Sequence, residues 1–291
     1  MPCRLLACML VGFVLLVSCG QSPGVPAEVV PLPSALPMVP VAEEPISGVV
    51  TVFAAASLAD AFEELAVAFT ARYPAATVSY NFAGSQQLAA QINEGAPADV
   101  FASANQAQMQ VAIAGGRVQG GSEQTFVRNR LVVITPRDNP AGITSLPDLA
   151  RPGLRLILAD AAVPVGRYSL DFLAHASSLP EYTTSYSATV LANVVSFEES
   201  VRAVLTKVVL GEADAGIVYT TDAALDADRL QQIEIPDTLN TIASYPIALL
   251  VDSGQPRLAR AFIDFVLADE GQRILGRYGF LAPLDSQVKH E

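Results

Sequence analysis

"VTVFAAASLADAF", residues 50–62, changes its hydrophobic period part-way along. Val50, Val52 and Phe53 favour a strand, whereas Leu58, Ala61, Phe62, Leu65 and Phe69 recur at helical spacing. A strand that runs into a helix through a three-alanine joint is the opening of a βαβ unit. Ser57 stands at that joint, a hydroxyl with little bulk around it.

The pattern repeats outward from there. Strands are predicted over 49–53, 77–82, 99–103, 130–135, 155–159, 215–219 and 245–251. Helices are predicted over 57–73, 86–94, 106–114, 167–177, 198–210, 256–268 and 270–278. Alternation of this kind implies an α/β protein with largely parallel sheets. The alternating region is about 240 residues long, more than one ordinary domain, so two lobes are expected.

Ahead of it the sequence has a different character. Arg4, an apolar run and a small residue precede Cys19, so residues 1–18 read as an export signal. The run is too short for a membrane span, and a polar segment comes directly after it. "LVSC" at 16–19 fits the lipobox, in which the cysteine becomes the lipidated first residue of a lipoprotein. Residues 19–47, with seven prolines after Cys19 and no periodic apolar pattern, read as a semi-extended tether. At about 3.1 Å per residue it reaches roughly 80 Å at most.

Composition removes several function classes. Of the three cysteines, Cys3 and Cys8 fall in the expected signal, so the mature chain keeps only Cys19 and has no internal disulfide or cysteine metal site. His175 and His290 are the only imidazoles, which argues against zinc and against most histidine-dependent catalysis. A formal charge of −12 argues against a nucleic-acid surface.

Small or hydroxylic residues gather at strand-to-helix junctions. Ser57 and Ser85 each open a helix, Ser85 beside Gly84; Val165 and Gly166 precede another, and 198–201 opens a fourth. In doubly wound sheets the ligand site lies beyond the carboxyl ends of the strands, where helix N-termini offer unpaired N–H groups to an anion. A serine at a helix start is more often an N-cap than a ligand, and that plainer reading stands beside the functional one. Ser57 as a nucleophile needs a base and an oxyanion hole; "AASLA" lacks the glycines of a nucleophile elbow, His175 falls inside a predicted helix and His290 near the end of the chain. Glu63–Glu64 and Glu198–Glu199, read as adjacent helical residues, diverge and make no acid–base pair, the second pair serving the helix dipole. The glycine pairs at 115–116 and 120–121 punctuate loops, and Arg128, Arg130 and Arg137 are too dispersed for a patch.

Taken together, "FAAASLADAF", "FAGSQQLAAQI", "GAPADVFASA", "VPVGRYS", "GEADAGIVYTTDA", "YPIA" and "YGF" resemble the extracytoplasmic molybdate-binding proteins of ABC importers, from about residue 48 to 283. The resemblance implies a two-lobed periplasmic-binding-protein fold of type II, each lobe a sheet flanked by helices, joined by a hinge. It implies residues 48–129 plus 245–286 in lobe 1 and 130–244 in lobe 2, with crossings near Asn129 and Ser244. Its implied ligand is tetrahedral molybdate, and tungstate with it, held without a cation. Carried over residue by residue, the donors are the hydroxyls of Ser57, Ser85 and Tyr219 and the backbone N–H groups of Val165 and Val201.

Many relatives read "VPAG" where this chain has "VPVG", which keeps the main-chain donor but enlarges the side chain at Val165. Arg167 follows closely, its direction left open. A subgroup that binds these oxyanions in octahedral form uses carboxylates; Val163 and Val218 stand in the corresponding places, which favours the tetrahedral mode. The resemblance further implies no enzymatic activity and no cofactor. The implied partners are a permease and an ATPase, the implied state is a monomer, and the implied location is extracytoplasmic at the cell membrane through the Cys19 lipid. The alternatives are a binding lipoprotein for another oxyanion or small organic anion, an interaction protein that kept the fold and lost the site, and, more remotely, a serine hydrolase.

Overall fold

The computed structural model describes residues 45–283. The predicted export signal, Cys19, the tether up to residue 44 and the chain after residue 283 lie outside the described residues.

β1 (Gly48–Ala55) is the strand of the opening stretch, and it pairs in parallel with β2 (Ala76–Ala83) from Gly48↔Ala76 to Ala55↔Ala83. On its other side lies β3 (Val100–Ala102), also parallel. β10 (Ala243–Leu249) comes next, antiparallel to β3, and β4 (Gln124–Asn129) closes the sheet antiparallel to β10. The order is therefore β2-β1-β3-β10-β4.

Alternation along β1 feeds two cores. Val50, Val52 and Ala54 join the core under α1 (Ala59–Arg72) and α8 (Pro256–Leu267), where Phe62 and Phe69 meet Phe262 edge-on at 6.2 and 5.4 Å. Phe53 joins the opposite core, with Leu88 and Ile92 of α2 (Ser85–Asn93) and Met109 of α3 (Gln106–Ala114). A strand buried on both faces loses the usual polar alternation, which is why β1 reads as an almost continuous apolar run. α9 (Asp269–Arg277) packs back on α1, with Arg277 paired to Glu64.

The second sheet has the order β7-β6-β8-β5-β9. β6 (Leu156–Ala159) runs parallel to β7 (Val194–Glu198) and to β8 (Ala215–Tyr219), while β5 (Leu131–Pro136) lies antiparallel between β8 and β9 (Leu230–Glu234). Its helices are α4 (Pro164–Ala176), α5 (Tyr186–Ala192), α6 (Val201–Val209) and α7 (Thr220–Leu225). β4 passes into β5 through Arg130 alone, and the return from β9 to β10 takes residues 235–242.

Two sheets, each flanked by helices, form the two-lobed type II arrangement. Several local expectations need correction. The sheets are mixed rather than largely parallel, because β10 runs antiparallel between β3 and β4 and β5 antiparallel between β8 and β9. β4, β7, β9, α5 and α7 had no counterpart among the predicted elements. The first helix divides into a 3₁₀ turn over Ala56–Leu58 and α1 proper. The helix predicted from 198 begins at Val201, because Glu198 ends β7 and Glu199 lies in the bend between them. Glu198 therefore does not serve a helix dipole; it pairs with Lys207 at 2.6 Å.

Candidate functional site

Six strands deliver their carboxyl ends to one small cavity between the sheets. Beyond β1 come Ala56 and Ser57, beyond β2 Gly84 and Ser85, beyond β3 Ala104, beyond β6 Val163, Pro164 and Val165, and beyond β7 Ser200 and Val201; Tyr219 ends β8. Ser57, Ser85, Val165, Val201 and Tyr219, spread over more than 160 residues of sequence, all line this cavity. Its volume is about 10 Å³, room for about one water molecule, so as it stands it takes no organic ligand.

Neither serine is a helix cap. Ser57 sits inside the 3₁₀ turn, and its Oγ lies 3.0 Å from the phenol oxygen of Tyr245. Ser85 is the first residue of α2, after Gly84, and its Oγ accepts the backbone N–H of Ala104 at 3.0 Å. Both are almost fully buried. Tyr219 is 1 % exposed, and its hydroxyl has no hydrogen-bond partner among the described residues. Burial, and then the adjoining phenol of Tyr245, hold its pKa well above the usual tyrosine value, so it stays a neutral O–H donor.

The backbone supplies the other donors. Val201 is the first residue of α6 and Val165 the second of α4, positions whose N–H groups have no carbonyl one turn back to bond. Pro164 at the first position of α4 has no N–H to waste. Gly166 lets α4 sit directly on the end of β6: a Cβ there would lie 2.1 Å from the Asp160 carbonyl oxygen. Ser200 caps α6 by accepting from Ala203 N at 3.3 Å.

Among the described residues no charged side chain lines the cavity. Arg167 points away: it is largely exposed and pairs with Asp171 at 3.2 Å, one turn along α4. Val163 lines the cavity, whereas Val218 is buried in β8 outside it, so neither place presents a carboxylate. Among the described residues no cluster of three His, Cys, Asp or Glu side chains is placed to hold a metal ion. The electrostatics of the site are therefore local dipoles of N–H and O–H groups.

The lobes meet around this cavity. Gln86 Nε2 donates to the Glu199 carbonyl at 2.9 Å, Gln87 Nε2 to the Glu199 carboxylate at 3.0 Å, and Gln108 Nε2 to the Ala162 carbonyl at 3.2 Å. Gly84 permits this approach, because a Cβ there would lie 2.5 Å from the Glu199 carbonyl oxygen. Deeper in, Arg202 of α6 pairs with Asp60 of α1 at 2.6 Å and lies 2.7 Å from Asp222 of α7. Asp222 is fully buried against Arg202. Burial pushes the Asp222 carboxyl up to about 6, against the opposing pull of Arg202.

Sequence reasoning missed Tyr245, Asn129 and the Asp60–Arg202–Asp222 cluster, whose contacts, apart from Arg202–Asp222, join residues about 90 to 190 positions apart. The only signal for Tyr245 was its place in "YPIA", a motif to which the sequence attaches no role.

The profile of the bacterial extracellular solute-binding protein family matches residues 50–281. The molybdate-binding protein ModA of Mycobacterium tuberculosis is 40 % identical over 234 residues, 80 % of this chain and 85 % of that one. The molybdate-binding protein ModA of Escherichia coli is 33 % identical over 243 residues, covering 80 % and 89 %. Among solved structures, the periplasmic molybdate-binding protein of Azotobacter vinelandii superposes with a TM-score of 0.69 over 80 % of this chain and 99 % of that one, at 22 % identity, a likeness of fold alone. With the solute-binding profile spanning nearly all the described residues, and ModA proteins matching along four-fifths of the sequence, the chain belongs to the bacterial extracellular solute-binding proteins and, within them, to the ModA family.

Proposed function

We propose that this protein is the extracytoplasmic substrate-binding component of an ABC importer, and that its interlobe cavity captures molybdate, and tungstate with it, for delivery to a membrane permease and its ATPase. One observation carries the reading: a buried Tyr219 hydroxyl, without a well-aligned hydrogen bond among the described residues, shares a small cavity with two buried serine hydroxyls and two helix-start N–H groups. Such a site offers hydrogens to an anion and almost nothing else. Ser57, Ser85 and Tyr219 donate from side chains, and Val165 and Val201 from the backbone; no cation and no cofactor take part. The protein itself performs no catalysis.

Residues 48–129 and 245–286 act as one lobe and 130–244 as the other, closing about the crossings near Asn129 and Ser244. The protein works as a monomer, tethered outside the cytoplasm through a lipid on Cys19. A Cys19→Ala variant is expected in the soluble or extracellular fraction; membrane retention with unchanged mass overturns the anchor.

Selectivity follows from the donors. Hydrogen phosphate carries a proton that finds no acceptor, whereas molybdate, tungstate and sulfate carry none near neutral pH. An unmatched buried donor costs roughly 1–3 kcal/mol, a bias of about ten- to a hundredfold. A thermal-shift panel tests the whole reading: at a hundred times Kd, molybdate stabilises by about 2.7 kcal/mol, roughly 5–10 °C. A panel in which phosphate or an organic anion shifts the protein and molybdate does not would refute it.

A further inference from the structure

Tyr245 lies outside the cavity lining, yet its oxygen is bonded to one of the cavity's hydroxyls. Its ring is completely buried and boxed edge-on by Phe126, Tyr219 and Phe280 at 6.5, 5.7 and 5.7 Å. The oxygen is thereby fixed, 3.0 Å from Ser57 Oγ and 3.5 Å from Asn129 Nδ2.

The far end of this chain fixes the orientation of the Asn129 amide. Asn129 Oδ1 accepts the backbone N–H of Arg130 at 2.9 Å and the Thr220 hydroxyl at 3.1 Å. A backbone N–H can only donate, so the amide cannot be turned over, and its NH₂ faces Thr221 Oγ1 at 2.8 Å and the Tyr245 oxygen. Asn129 thus donates to the phenol. Geometry lets either hydroxyl of the Tyr245–Ser57 pair donate, and the phenol, a stronger acid than an aliphatic alcohol, is the preferred donor onto Ser57 Oγ. With that side of the oxygen occupied, the Ser57 hydrogen is left for the cavity.

We propose that Tyr245 is a positioning residue: through the chain Asn129→Tyr245→Ser57 it fixes the Ser57 hydroxyl as a donor to the bound oxyanion and denies the ligand an acceptor there. This rests on the reading of the cavity as the molybdate site. The other serine is set in the same way by a different group, since Ser85 Oγ accepts the Ala104 N–H, itself a donor only. Two hydroxyls that would otherwise be free to accept are both biased toward donation. Rejection of a protonated anion is thus built behind the cavity wall as well as in it.

The test is a double-mutant cycle with calorimetry at pH 7, using molybdate directly and phosphate by displacement of molybdate. Tyr245→Phe is expected to weaken molybdate about tenfold and phosphate less, so the molybdate-to-phosphate ratio falls. In the Ser57→Ala background the cost of Tyr245→Phe should shrink to what passes through the adjoining Tyr219 hydroxyl, because the other group it acts through is gone. Phe280→Leu, which loosens the box without touching the hydroxyl, should lower the melting temperature and leave the ratio unchanged. Additive losses in the cycle, unchanged affinity in Tyr245→Phe, or the same change of ratio in Phe280→Leu would each overturn the positioning role. If Tyr245→Phe does not fold, Asn129→Ser breaks the chain one link earlier and should show the same non-additivity with Ser57→Ala. A wild-type protein that gives no molybdate binding refutes the functional reading itself, and is distinguished by the first titration from a relay that fails while the wild type binds.

Discussion

Tyr219→Phe separates ligand binding from packing more cleanly than any other change in the site. The substitution keeps the ring and its edge-on contact with Tyr245 at 5.7 Å, and it deletes one oxygen. That oxygen adjoins the Tyr245 phenol but has no well-aligned hydrogen bond among the described residues, so the ligand-free protein loses little, and its melting temperature should move by less than about 2 °C. The molybdate-bound state proposed above does lose a hydrogen bond. A hydrogen bond to a charged group is worth roughly 1.5–3 kcal/mol, and at about 1.4 kcal/mol per decade the molybdate Kd should rise about ten- to a hundredfold. Isothermal calorimetry on both proteins, with scanning calorimetry of the ligand-free forms, reads the two quantities separately. An unchanged Kd would show that the phenol only packs. A melting temperature lowered by several degrees would show that the hydroxyl supports the fold instead of waiting for a ligand.

Three further outcomes are expected. Ser85→Ala removes a cavity donor and also strands the Ala104 N–H, a buried group that costs roughly 1–3 kcal/mol when unpaired; it should lose affinity and melt roughly 2–12 °C lower, and an unchanged melting point would mean that this N–H finds water. Gly84→Ala places a Cβ 2.5 Å from the Glu199 carbonyl, so with saturating molybdate its radius of gyration by small-angle scattering should exceed that of the wild type; equal radii would show that the lobes yield without opening. Asp222 has a folded-state pKa of about 6 against about 3.9 in the unfolded chain. Its proton uptake therefore stabilises the fold fully below about pH 4, and that contribution is lost as pH rises through 6. Asp222→Asn should flatten the dependence of melting temperature on pH between about 4 and 6, and an identical slope in both proteins would remove Asp222 as the cause.

Elements with strong local signals were legible in the sequence. Gln106–Ala114 and Ala215–Tyr219 form as their patterns predict, and α1 buries Phe62, Leu65 and Phe69 as a single stripe. The missed strands share a cause. β4, β7 and β9 close the edges of their sheets, and "QTFVRN", "VVSFE" and "LQQIE" carry polar residues that read as loop or, for Glu198, as the start of a helix. The serines were placed at the right joints, but local sequence could not show that their oxygens bond Tyr245 and Ala104 rather than cap a helix. Those pairings depend on which strand ends come together, and the order β2-β1-β3-β10-β4 is decided by the whole chain. Asp222 was illegible for the same reason: its burial and its Arg202 neighbour belong to packing, and nothing near "YTTDA" announces them.

That strand order also constrains the sequence of events in folding. β10 is an interior strand of its sheet, between β3 and β4, yet it is the last strand to be synthesised. Until Ala243–Leu249 is available, β4 has no neighbour to pair with and β3 has one bare edge. The other sheet is assembled entirely from the continuous stretch 131–234 and waits for nothing downstream. The later segment should therefore nucleate first, and the earlier one should stay incomplete for longer, against the direction of translation. A truncation just before Ala243 would not trim an edge; it would cut β4 loose from its sheet and leave half of the binding cavity without a complete frame.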